Sequence, residues 1–91
     1  MSSAQEPVDL SNHHRNTLRE LFQHPVSHNI EWRAVISLLE AVGSVAEHHD
    51  GKLAVTVGSQ TVFFDHPAHK DLDVQEIGDV RRLLSGAGLQ P

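Results

Sequence analysis

Leu53, Val55 and Val57 alternate with Lys52, Ala54 and Thr56, between the tight-turn dipeptides Asp50-Gly51 and Gly58-Ser59. Alternation with a period of two marks a strand with one buried face. A turn at each end makes it the middle strand of two successive hairpins. Val62, Phe63 and Phe64 continue beyond the second turn, and Ser44 to Glu47 form a weaker strand before the first. The simplest arrangement is a three-stranded antiparallel meander.

Register follows from turn length. A two-residue turn at Gly58-Ser59 pairs Val57 with Gln60, Val55 with Val62 and Leu53 with Phe64. That gathers the large apolar groups on one face, as a buried face requires. In the first hairpin a two-residue turn pairs Ala46 with Val55 and turns His48 inward. A three-residue loop, His49-Asp50-Gly51 with Gly51 left-handed, instead pairs Val45 with Val55. The second register is preferred, because it buries Val45 and leaves His48 opposite Lys52 on the open face.

The period changes on either side of this sheet. Leu18, Leu21 and Phe22 give a short first helix one apolar stripe, with Ser11 as its cap and His24-Pro25 ending it. Trp32, Val35, Ile36, Leu39 and Val42 follow helical spacing, with Asn29 as the expected cap and Gly43 as a left-handed C-cap. Asp73 and Glu76 resemble a capping box for a third helix, whose inner residues are Ile77, Val80, Leu83 and Leu84. Gly78 lies inside it, Arg81 and Arg82 near its end, and Gly86 and Gly88 finish it. The fold class is α+β in the order α-α-β-β-β-α, a three-stranded antiparallel sheet packed on helices.

Ninety-one residues suit one domain. Residues 1–10 read as a disordered tail and 11–91 as a single domain. A chain of this size buries roughly 60% of its unfolded surface. It has no cysteine, so disulfides, cysteine-ligated zinc and thiol nucleophiles are excluded. No apolar run approaches the roughly 20 residues of a membrane span, and the N-terminus has no signal-peptide pattern. The expectation is a soluble cytoplasmic protein without a membrane partner.

The formal charge is -5, which argues against general affinity for nucleic acid. Eight histidines partly offset it, since imidazole gains charge near pH 6.5. His48-His49 and His66-x-x-His69 are two pairs that can be weighed as zinc ligands. Adjacent histidines on a strand point to opposite faces, no fourth ligand is indicated, and exposed loop histidines are the plainer reading. No metal site is therefore assigned. Ser59 belongs to a hairpin turn, no nucleophile elbow is present, and no Gly-rich phosphate loop calls for a cofactor. The open sheet face would carry His48, Lys52, Ala54, Thr56, Thr61 and Phe63. There Phe63 can stack a base or rest on a partner protein or on the N-terminal helix; elsewhere in the chain Lys70, Arg81 and Arg82, with Lys52, can meet phosphates. A merely solvated face is the alternative.

Several segments in order resemble the HicA (YcfA-like) toxin family. They are Asn29-Ile30-Glu31-Trp32, Leu38-Leu39-Glu40-Ala41-Val42-Gly43, Phe63 near His66-Pro67, Asp79-Val80-Arg81-Arg82-Leu83-Leu84 and Ala87-Gly88-Leu89-Gln90-Pro91. His24-Pro25-Val26 before the Trp helix is similar to a subgroup with an extra N-terminal helix. The resemblance spans about Asn12 to Pro91.

It implies a fold like a double-stranded-RNA-binding domain and a small mRNA interferase that inhibits translation. Its partners would be mRNA and a HicB-like antitoxin covering the active surface. The family carries Gly-Ser-His between its first two strands, with the histidine as catalytic residue. This chain has Asp50-Gly51-Lys52 there, so Lys52 takes the catalytic position. A lysine neutralises phosphate but is a poor proton shuttle at neutral pH. His48 and His49, in the same hairpin, are the substitutes, and Lys52, Phe63, His66 and Lys70 are the expected RNA contacts. The chain is acidic where family members are usually basic. Three readings stand open: a toxin domain that binds and cleaves mRNA, an inactive interaction module on the same fold, and a small histidine-based metal protein.

Overall fold

A computed structural model describes residues 10–26 and 29–91. Residues 1–9 of the expected 1–10 tail, and His28, lie outside the described residues; Leu10 itself packs against the core. The elements are α1 (Asn12–Leu21), α2 (Trp32–Val42), β1 (Ser44–Glu47), β2 (Lys52–Val57), β3 (Gln60–Asp65) and α3 (Val74–Gly86). This is the expected α+β order, with an antiparallel sheet ordered β1-β2-β3.

Both hairpins have the register that turn length dictates. Val45 pairs with Val55 across the first, and Val55 with Val62 across the second. Gly51 and Gly58 take positive φ values of 88° and 64°, which glycine adopts without a Cβ clash. Leu53, Val55, Val57 and Phe64 are buried on the inner face. There they meet α2 and α3, which supply Trp32, Val35, Leu38, Leu39, Ile77, Val80, Leu83 and Leu84 to one core. Trp32 meets Phe64 edge-on with ring centroids 5.9 Å apart. α1 packs against α2 and α3, adding Leu18 and Leu21, and Leu10 packs at its start. Among the described residues, no helix packs over the outer face of the sheet.

Three local expectations are corrected. Asn29 is not the cap of α2; Glu31 is. Residues 30–32 run extended beside 70–72, with Glu31 bridged to Asp71. The Trp32 N–H donates to the Lys70 carbonyl at 2.8 Å, which satisfies one of the first-turn donors that have no partner within the helix. Gly43 is not left-handed, since its φ is −164°. It is needed for close approach instead: a Cβ there would lie 1.9 Å from the Thr56 carbonyl oxygen. α3 ends at Gly86 as expected, but Arg81 and Arg82 fall short of its last turn, which carries no basic residue to complement the dipole.

The other end signals act as expected. The Ser11 side chain accepts the His14 N–H. Asp73 and Glu76 complete a reciprocal capping box. Beyond Gly86 the chain reverses through Gly88 at φ 81°, with the Gly88 and Leu89 N–H groups donating to Ser85 and Leu84 carbonyls.

Candidate functional site

The helix-free face is built by residue parity. Ser44, Thr56 and Thr61 form one row, Ala46, Ala54 and Phe63 the next, and His48, Lys52 and Asp65 the last. The first hairpin fixes its end of the face. The His48 N–H donates to the Lys52 carbonyl, the Gly51 N–H to the His48 carbonyl, and the Lys52 N–H to Asp50 Oδ1.

Two aromatic groups meet on this face. The rings of His48 and Phe63 lie edge to face, 5.5 Å between centroids and 85° between planes. They come from opposite sides of β2, whose residue between them is the small, buried Ala54. Phe63 remains 57% exposed, so one of the chain's three phenylalanines spends much of its apolar surface on solvent.

The charges on this face cancel. Lys52 Nζ donates to Asp65 Oδ1 at 2.8 Å. The hydrogen bond to Asp65, then its charge, raise the Lys52 pKa above the ordinary lysine value. The same bond holds the Asp65 carboxyl below its ordinary value. A lysine whose proton is held more tightly is further from proton transfer at neutral pH. Thr56 and Thr61 satisfy one another at 2.9 Å.

The remaining expected site residues are dispersed. His66 lies on the helix side, where Nε2 is 3.3 Å from Glu47 Oε2, in a cleft shared with Ile36, Val45 and Leu53. Lys70 stands at the start of α2, 3.5 Å from Glu31 Oε2. His49 is exposed in the hairpin loop. The structure thus brings together His48, Lys52 and Phe63, and sets His66 and Lys70 elsewhere. Among the described residues, no three His, Asp or Glu side chains gather as metal ligands. No described helix is long and apolar enough to cross a membrane.

Sequence reasoning missed the carboxylates that answer these cations. Asp65 was legible, because the two-residue turn that pairs Val57 with Gln60 also pairs Lys52 with Asp65. Glu47 and Glu31 were not, since their contacts depend on how the hairpin end and the 30–32 bridge fold back. Compared with models of protein families, with curated proteins and with solved structures, the chain matches none.

Proposed function

We propose that the chain is a HicA-like toxin domain of a toxin–antitoxin pair, acting on mRNA in the cytoplasm through the open face of its sheet. One observation carries the reading: His48, Lys52 and exposed Phe63 share the face that the helices leave uncovered. The β-β-β-α order after a Trp-bearing helix agrees with the double-stranded-RNA-binding-like fold of the family that the sequence resembles. On such a face a base stacks on Phe63 and Lys52 meets a phosphate, exchanging Asp65 for it. In cleavage, the 2′-oxygen attacks the adjacent phosphorus while His48 or His49 takes its proton; the bond to the 5′-oxygen breaks, and that oxygen takes a proton from water. A HicB-like partner would cover this face. Induced expression should arrest growth, and the His48→Ala/His49→Ala double variant should relieve the arrest. A double variant as toxic as the parent overturns these roles.

The ion pairs favour a second reading, an interaction module with the same fold and no chemistry. Lys52, His66 and Lys70 each face a carboxylate, which leaves little free positive charge for phosphate among the expected RNA contacts. This reading predicts no RNA cleavage at any pH. A steep loss of RNA affinity with added salt counts against it.

A further inference from the structure

The open clefts of this acidic chain differ in charge. Three of those among the described residues are each lined by at least two carboxylates: Asp65, Asp73, Glu76 and Asp79 in one, Glu20 and Glu31 in another, Glu40 and Glu47 in a third. A fourth, of about 370 Å³, is lined by Phe22, Gly78, Arg81, Arg82 and Ser85, with no carboxylate. It runs between the end of α1 and the outer side of α3, and shares no residue with the open sheet face.

The arginines in this groove are not equivalent. Arg82 is held by Asp79 one turn back on α3. Arg81 has no ion pair among the described residues. Its guanidinium lies over the Phe22 ring, 5.6 Å from the centroid, with Nη2 3.4 Å from His24 Nε2. Stacking holds the planar fork in place without neutralising it, so its charge and remaining donors are available.

Gly78 adds an independent observation. Glycine weakens a helix interior relative to alanine, and no close backbone packing requires it here. A Cβ at Gly78 would meet only Arg82 Nη1, at 3.7 Å, an ordinary contact. Its missing side chain leaves the floor of the groove open beside the Arg82 guanidinium, with Ser85 further along the helix.

We propose that this groove is a phosphate-binding site, with Arg81 as principal ligand, Arg82 and Ser85 beside it, and Gly78 giving the anion room to approach the helix. A planar guanidinium fork suits two phosphate oxygens at once. The phosphate belongs either to a small phosphorylated molecule or to an RNA chain, and the site stands whether or not the sheet face acts on RNA.

The test is an amide NMR titration of the full chain with inorganic phosphate, repeated with a single-stranded oligoribonucleotide. Phosphate should shift the Gly78, Arg81, Arg82 and Ser85 amides. Arg81→Gln should weaken binding about tenfold, the loss expected for one charged hydrogen-bonding group, and Arg81→Lys by less. Gly78→Ala should raise Tm by several degrees, since alanine favours the helix, while weakening phosphate binding. That opposition separates a blocked site from a damaged fold. An oligoribonucleotide affinity more than tenfold above that of phosphate assigns the site to an RNA chain; a similar affinity assigns it to a free phosphate group. Amides of the groove unmoved by either ligand, or an affinity unchanged in Arg81→Gln, overturns the proposal.

Discussion

Lys52 and Asp65 face each other across β2 and β3, with Nζ 2.8 Å from Oδ1, at the end of the sheet nearest His48. Each holds the other in its charged form: the lysine pKa is raised and the carboxyl pKa lowered, both chiefly by their hydrogen bond. The lowered carboxyl contributes stability that is present above its unfolded pKa and fades as pH falls through the folded one. The raised lysine contributes stability below its unfolded pKa that fades as pH climbs through the folded one. The pair is exposed, so the effect is small and weakened by salt.

Asp65→Asn should therefore return the Lys52 pKa toward the ordinary lysine value, followed by NMR titration of the lysine side chain. It should also free a cation on the open face. Under the RNA reading, RNA affinity should rise, because Lys52 no longer has to leave Asp65 to meet a phosphate. An unchanged affinity would mean that Lys52 does not meet phosphate.

Phe63 and Phe64 are neighbours with opposite surroundings, one 57% exposed and one 6% exposed. Phe64→Ala empties a core position against Trp32 and should cost about 3–5 kcal/mol in urea unfolding. Phe63→Ala should cost under about 1 kcal/mol yet weaken whatever binds the open face. A large loss of stability from Phe63→Ala would make that side chain structural.

Gly43→Ala places a methyl group 1.9 Å from the Thr56 carbonyl oxygen, so β1 must move from β2 or the end of α2 must shift. Overpacking of this kind should cost about 3 kcal/mol. Gly51→Ala meets no atom and carries only the strain of φ 88°, about 1 kcal/mol. Denaturation midpoints of the two variants check the order.

Asp73 accepts the Glu76 N–H at 2.7 Å, and Glu76 accepts the Asp73 N–H at 2.9 Å. Asp73→Ala should cost about 1 kcal/mol. With Glu76→Ala the losses should be less than additive, because each residue's side chain acts on the other's backbone.

The sheet was the most legible part of the chain. Its register rests on two turn lengths, and those fix every row of the open face, including the Lys52–Asp65 pair. Ser11 and the Asp73–Glu76 box act within four residues and were equally legible. The start of α2 was not, because Trp32 finds its acceptor on Lys70, far along the chain, and no local pattern announces that. Gly43 was recognised as special for the wrong reason: its constraint is contact with Thr56, a tertiary fact, rather than a positive φ. The same limit applies to the site. His48, Lys52 and Phe63 could be placed on one face by parity, whereas His66 and Lys70 answer to carboxylates brought near by folding. The groove at Gly78 gave a sequence signal, a glycine inside a helix, whose meaning depends on α1 lying alongside.

Under the proposed function, the open face of the sheet is the working surface toward RNA. An amide NMR titration of the chain with a single-stranded oligoribonucleotide at low salt tests this. Shifts are expected at His48, Lys52, Ala54 and Phe63, lost in Phe63→Ala and reversed by added salt. A sheet face whose amides stay unmoved at saturating RNA would contradict it.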